Sequence, residues 1–174
     1  SDAGTLKRMD YSLIKGGGNL LQLKTVYKQD TFSVAGNSGV FSDVTGATVD
    51  ITPTLATSKI LVFLTTNISN GTHGYGAIVR LVRDSTVIMG GTASSNRNMI
   101  VGGAQIHNNG MPNNVSAVYL DAPATTSATT YKLQGSGETG STFYVNRTGV
   151  DQDLSYLGRT PTTITVMEIA VGVL

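Results

Sequence analysis

Asp151 and Asp153, in Gly149-Val150-Asp151-Gln152-Asp153, are the nearest the sequence comes to a pair of groups with chemistry in them. Alternate residues of a looped chain can turn two carboxylates toward one cation, but a calcium ion takes roughly six to eight oxygens and only two are local. The same pair is the raw material of glycoside cleavage, which uses two carboxyl groups, yet nothing in its spacing separates it from ordinary loop acids. Asp151 and Asp153 are therefore weak metal candidates, and we expect no metal site, no cofactor and no catalytic residue. His73 and His107 fall in loops without metal-ligand spacing; a threefold assembly would gather three copies of either on its axis, where a transition metal needs no sequence motif. Gly135-Ser136-Gly137-Glu138-Thr139-Gly140 fits the glycine template of dinucleotide sites, but that template needs a helix after it, and a strand follows here. We read it as a Gly-rich hairpin. No Gly-x-Ser-x-Gly nucleophile elbow is present.

Composition narrows the field further. The chain has 174 residues, no cysteine and a formal net charge of +1, which removes disulfides, thiolate catalysis and Cys-based zinc sites, and gives nucleic acid or anionic membrane little to attract. Only 13% of residues are charged, whereas 21 are glycine; Ser, Thr and Asn crowd the intervening segments. That balance suits short strands joined by tight turns, with surfaces of hydroxyls and amides. No apolar run approaches the roughly 18 residues of a membrane span, and the beginning lacks the layout of a signal peptide. Asn67, Asn70, Asn114 and Asn146 each head an Asn-x-Ser/Thr sequon, with Asn146 placed inside a strand, a poor acceptor position.

The elements that must carry these residues are strands. Residues 59–68, KILVFLTTNI, are apolar on consecutive positions from Ile60 to Leu64. A short run of this kind, β-branched and aromatic, marks a strand buried on both faces, and we place it at the centre of a sandwich. Before it, residues 20–26 alternate, residues 32–35 and 40–44 flank Gly36-Asn37-Ser38-Gly39 as a hairpin, and Ala47, Val49 and Ile51 form a half-buried strand stopped by Pro53. After it, residues 77–82 and 86–89 make a hairpin through Arg83-Asp84-Ser85, and residues 99–106 form a looser strand interrupted at Gly102-Gly103. Val115, Ala117 and Tyr119 then oppose Val118 and Leu120 across a strand ended by Asp121-Ala122-Pro123. Tyr131 and Leu133 mark the next; residues 135–142 turn the chain into a strand at 143–147, and a polar loop leads to the last strand at 163–170. About ten short strands and no helix in the body predict an all-β, antiparallel sandwich of jelly-roll type over residues 20–174. Residues 1–19 stand apart: Leu6, Met9 and Leu13 have helical spacing before Gly16-Gly17-Gly18, which fits either a flexible leader or linker or the end of a shaft whose three copies pack together.

The fragments SKILVFLT (58–65), LVRDSTVI (81–88), LDAPATTSATTYKLQ (120–134), YVNRTG (144–149) and TITVMEI (163–169) resemble, in the same order, a domain at the C-terminal end of tail-fibre and related structural proteins of tailed bacteriophages, including many from marine and cyanobacterial hosts. The likeness covers residues 21–170. It implies a virion component, extracellular when it acts, and a receptor-binding fibre tip: a homotrimer with a jelly roll similar to the tumour-necrosis-factor and C1q-like fold, joined to other virion proteins through its N-terminus. In the last strand Glu168 shares the face of Ile164 and Val166. Either it reaches solvent at the strand end, or it is paired across a subunit interface, with Arg80, Arg147 and Arg159 as possible partners.

With the resemblance, the loops become the candidate contacts. Asn70, His73, Tyr75, Arg97, Asn98, His107, Asn108, Asn109, Tyr156 and Arg159 combine amides, tyrosines and guanidinium groups, a repertoire for gripping sugar hydroxyls or a protein patch. The leading expectation is non-enzymatic attachment to a host cell-surface glycan or outer-membrane protein, with avidity supplying strength. The alternative is a structural virion protein without a receptor, such as a capsid decoration or head fibre. A depolymerising enzyme would need Asp151 or Asp153, and a secreted cytokine-like trimer would carry sugar on its sequons.

Overall fold

The computed structural model describes residues 20–105 and 112–170. The leader at 1–19, the last four residues, and His107, Asn108 and Asn109 lie outside them. Among the described residues every regular element is a strand: β1 (Leu20–Lys28), β2 (Phe32–Ala35), β3 (Ser42–Ile51), β4 (Lys59–Asn70), β5 (Gly76–Arg83), β6 (Thr86–Ile88), β7 (Gly102–Gln105), β8 (Asn113–Asp121), β9 (Thr129–Gly137), β10 (Thr142–Val145) and β11 (Thr162–Ile169).

All pairings are antiparallel and they build two sheets. In the first, the long strand β4 pairs with β8 on one edge and with β11 and then β10 on the other; β1 completes β11 and β2 completes β10. In the second, β9 lies between β3 and β5, and β6 and β7 share the far edge of β5. Counting β1 with β2, β6 with β7 and β10 with β11 as single positions, about eight positions run 1-8-3-6 in one sheet and 2-7-4-5 in the other, the strand order of a jelly roll. The core between the sheets is apolar: Ile60, Val62 and Leu64 of β4, Ile164 and Val166 of β11, Val79 and Leu81 of β5, Tyr131 and Leu133 of β9, and Phe143.

Four sequence expectations change. The segment from 59 to 68 is a central strand, but its burial alternates, with Ile60 at 0% exposure and Phe63 at 39%; one chain covers only one of its two apolar faces. The turn at 36–41 joins no hairpin, because β2 belongs to the first sheet and β3 to the second. The glycine-rich stretch is likewise a crossing between sheets, from β9 to β10. Arches and hairpins use the same turn chemistry, so residue types in the turn do not tell them apart. Gly135 sits in β9 because a Cβ there would lie 2.3 Å from the Phe143 ring. Gly102 and Gly103 do not interrupt a strand but begin β7, close against Val115 and Ile78.

Candidate functional site

The residues of the attachment hypothesis divide into those the fold displays and those it uses internally. Asn70, at the end of β4, is fully buried. Its Nδ2 donates to Gly76 O at 2.9 Å and Ser141 Oγ at 2.8 Å, while its Oδ1 accepts from Thr72 N at 2.9 Å. Asn70 therefore shapes the turn at 71–75 and is withdrawn as a contact residue. His73 is exposed on that turn and Tyr75 partly so. A Cβ on Gly140 would lie 3.7 Å from Tyr75, and one on Gly39 would lie 3.3 Å from Asn98. Ser38 and Thr139 exchange hydrogen bonds at 3.0 Å, so Tyr75, Asn98 and the turns at 36–41 and 138–141 meet at one pole of the sandwich. Arg97 is exposed and forms an isolated bridge with Ser94. Tyr156, 68% exposed, and Arg159 lie instead on the segment 146–161.

On that segment Asp151 Oδ2 accepts from Arg159 Nη2 at 2.7 Å and lies 3.6 Å from Arg147 Nη1. The Arg147 guanidinium also stacks 4.1 Å over the Tyr144 ring. A carboxylate oxygen already facing two guanidinium groups is a poor cation ligand, and among the described residues no three His, Cys, Asp or Glu side chains are placed to hold a metal. The Asp151 carboxylate is therefore committed to this arginine cluster, while Asp153 is exposed two residues on. Asn70 and Asn146 are buried and hydrogen-bonded, so neither of those sequons is an acceptor.

Two buried polar groups were not foreseen in these roles. Glu168 neither reaches solvent nor pairs with an arginine. It is fully buried, and Gln22 Nε2 donates to its Oε2 at 2.6 Å. Its Oε1 accepts from Thr54 N at 2.7 Å, Thr54 Oγ1 at 2.9 Å and Leu55 N at 3.3 Å. Burial alone would push this carboxyl up; the hydrogen bonds outweigh it and hold it at about 2. At the opposite edge Asp121 of β8 accepts from Arg83 Nη1 of β5 at 2.7 and 2.8 Å and from the Tyr131 hydroxyl of β9 at 2.7 Å, clasping the two sheets together. Burial, followed by the bond to Asp121, pushes the Tyr131 phenol up.

A further surface feature lies outside the loops. The outer face of the second sheet is polar: Asp43 accepts from Lys132 and Gln134, Thr130 donates to Asp50, and Arg80 donates to Gln134. The outer face of the first sheet is not. Its cross-strand rows read Leu23, Met167, Leu61, Leu120 and, one rung on, Thr25, Thr165, Phe63, Val118, with Leu20 and Ile169 beside them. Leu20, Leu23, Val118 and Leu120 are each about half exposed. Beyond these rows the face turns to hydroxyls and amides at Thr163, Thr65, Ser116, Asn67 and Asn114.

Fold and surface together define the class: a jelly-roll sandwich with one polar outer face and one outer face that carries an apolar patch. Comparison with protein-family models finds no match, and comparison with curated proteins finds none. Among solved structures the chain is similar to that of infectious bursal virus derived T=1 particles, with a TM-score of 0.41 and 17% identity over 87% of this chain and 37% of that one. It is also similar to the infectious bursal disease virus VP2 subviral particle, with a TM-score of 0.39 and 13% identity over 87% of this chain and 42% of that one. The chain thus spans well under half the length of either; its strand order is read from its own ladders.

Proposed function

We propose that this chain is a non-enzymatic structural module of a virus particle, which works by assembling with copies of itself through the outer face of its first sheet. The observation that carries the proposal is the contiguous apolar surface of Leu20, Leu23, Leu61, Phe63, Val118, Leu120, Met167 and Ile169. Antiparallel sheets with one solvated face alternate apolar and polar residues, as the second sheet does. The first carries, besides its apolar inner face, an apolar patch on its outer face, the pattern of a sheet covered twice over that patch. Soluble monomers rarely expose apolar patches beyond a few hundred Å², and covering one half-exposed leucine contributes on the order of 1 kcal/mol. The viral assignment and the trimeric stoichiometry come from the resemblance to phage tail-fibre domains. Phe63→Asp places a charge among these rows. The expected result is a fall in solution mass to a single chain with an unchanged β-type circular dichroism spectrum; a variant that keeps an oligomeric wild-type mass would remove this face from the interface.

Attachment to a host surface is the second reading, favoured by the gathering of Tyr75 and Asn98 at one pole and the display of Tyr156 and Arg159 on segment 146–161. Fluorescently labelled protein should then stain susceptible cells and not receptor-deficient derivatives. Equal staining of both, or none on any susceptible host, would leave the structural role alone.

A further inference from the structure

A sandwich must close at its sides as well as between its faces. Along the side formed by β8 on the first sheet and by β7 and β6 on the second, the sheets meet over one half and part over the other. At β7 they touch, where a Cβ on Gly102 would lie 2.8 Å from Val115 of β8. Opposite β6 a groove of about 680 Å³ remains, within the roughly 300–1,000 Å³ of ligand pockets. Half-buried Val87, Met89, Met99 and Tyr119 give it apolar walls, and the Arg83–Asp121 pair lines it with them.

Both strands that border the groove have an unpaired edge. Among the described residues β8 pairs with β4 alone and β6 with β5 alone. Arg83 and Thr86 close the two-residue hairpin turn, so Val87, one step on, directs its N–H and C=O away from β5. Met89, in the left-handed region at φ 56°, then turns the chain off this line. Asp121 takes both of its bonds from Arg83 through one nitrogen, Nη1, and a guanidinium carries donors on two more. Such a lining suits an extended peptide, whose main chain meets strand edges while every second side chain enters the apolar walls.

The chain supplies a segment of this kind. In Met9-Asp10-Tyr11-Ser12-Leu13 apolar and polar residues alternate as a strand requires, although Leu6, Met9 and Leu13 also keep helical spacing. Residues 1–19 join the sandwich at Leu20, which pairs with Ile169 as Ile169 pairs with Lys59. Asp121 pairs with Ile60, so Leu20 and the β8 wall of the groove lie at the same end of the first sheet. From β1 to β8 is three strand spacings, about 14 Å at about 4.8 Å each. Residues 14–19, with three glycines for the turn, span up to about 20 Å. We propose that residues 9–13 add as a strand to the free edge of β8 in their own chain, with Met9, Tyr11 and Leu13 seated in the groove between β8 and β6. The groove opens on the side of the sandwich and shares only Leu120 with the apolar patch of the outer face, so the docking neither needs that face exposed nor depends on what covers it. A strand here also covers an edge that would otherwise offer itself to other chains.

The full chain contains no cysteine, so introduced cysteines report without background. Tyr11→Cys is combined in turn with Met89→Cys, with Met99→Cys and, as a control on β3 beside β1, with Asp50→Cys; each protein is oxidised mildly and its chains are weighed under denaturing conditions. Hydrogen exchange of residues 116–122 is followed by mass spectrometry in the wild type and in the double variant Tyr11→Asp with Leu13→Asp, with circular dichroism and light scattering on every sample. The expected result is a disulfide within one chain for at least one groove pair, formed faster than in the control. Exchange at 116–122 should be about tenfold or more faster in the double variant at unchanged spectrum, the loss of a few main-chain hydrogen bonds. No disulfide within a chain for either groove pair, one no faster than the control, disulfides only between chains, or exchange that the double variant leaves unchanged would each overturn the docking. A single-chain mass with the groove disulfide formed would count against the assembly face alone, and a stable oligomer without that disulfide against the groove alone.

Discussion

Glu168 shows how much a single buried charge depends on tertiary placement. Its position on an apolar face is legible in the sequence, and so is its need for a partner. The partner is not, because it consists of backbone N–H groups in the turn after β3 and the amide of Gln22 on β1, which no local pattern brings together. With its folded value held at about 2, against 4.5 for a free, solvent-exposed glutamate, its contribution to stability is complete above about pH 4.5 and disappears as pH falls toward 2. Denaturant titrations should therefore show unfolding free energy dropping across that window, with a shallower drop in Glu168→Gln. Asp43, held low by Lys132 and Gln134, contributes with the same sign from a more exposed position. At neutral pH, Glu168→Ala leaves several donors unpaired in the interior and should cost about 2–4 kcal/mol. Asp121→Ala strips the partner from Arg83 and Tyr131 together and should cost about 3–5 kcal/mol; a loss under about 1 kcal/mol in denaturant unfolding would contradict the clasp. In the sequence Asn146 is only a sequon at a strand; its left-handed backbone just past β10 and its bonds to Lys28 and Asp30 depend on segments far apart in the chain.

At the scale of the element, periodicity served well wherever a strand has one wet face. Ala47, Val49 and Ile51 point inward as their alternation requires, and so do Tyr131 and Leu133. It was equally good at the hairpin of β5 and β6, where Asp84 takes the left-handed conformation at φ 53°. Periodicity is silent on which strands pair, so the arches at 36–41 and 138–141 look like hairpins in the sequence. The glycines of β9 record that hidden information, since they are small where the aromatic ring of the neighbouring sheet presses on them. Gly135→Ala would drive a methyl into the Phe143 ring and should destabilise the fold by about 1–3 kcal/mol, measured by chemical denaturation. A neutral or stabilising effect would show that the two sheets are less closely packed there than these positions require.

For the whole molecule, the unbroken apolar run in β4 and the outer face of the first sheet are the same fact at two scales. The sequence predicts a strand covered on both sides, and one chain supplies only the inner cover. The outer rows are assembled from four strands distant in the chain, so the patch itself was not legible, although each of its strands was. The contact residues were the least legible part. The amides and hydroxyls of a jelly roll look alike in sequence whether they shape a turn, as Asn70 does, or face outward, as Tyr156 does.

The central claim is that a second layer of protein covers this face, and the measurement that meets it most directly is the solution mass of the full chain by light scattering coupled to size exclusion, over a wide range of protein concentration. The account predicts a stable multiple of the 18.1 kDa chain, near three copies, that persists on dilution. A mass of one chain at every concentration would contradict it.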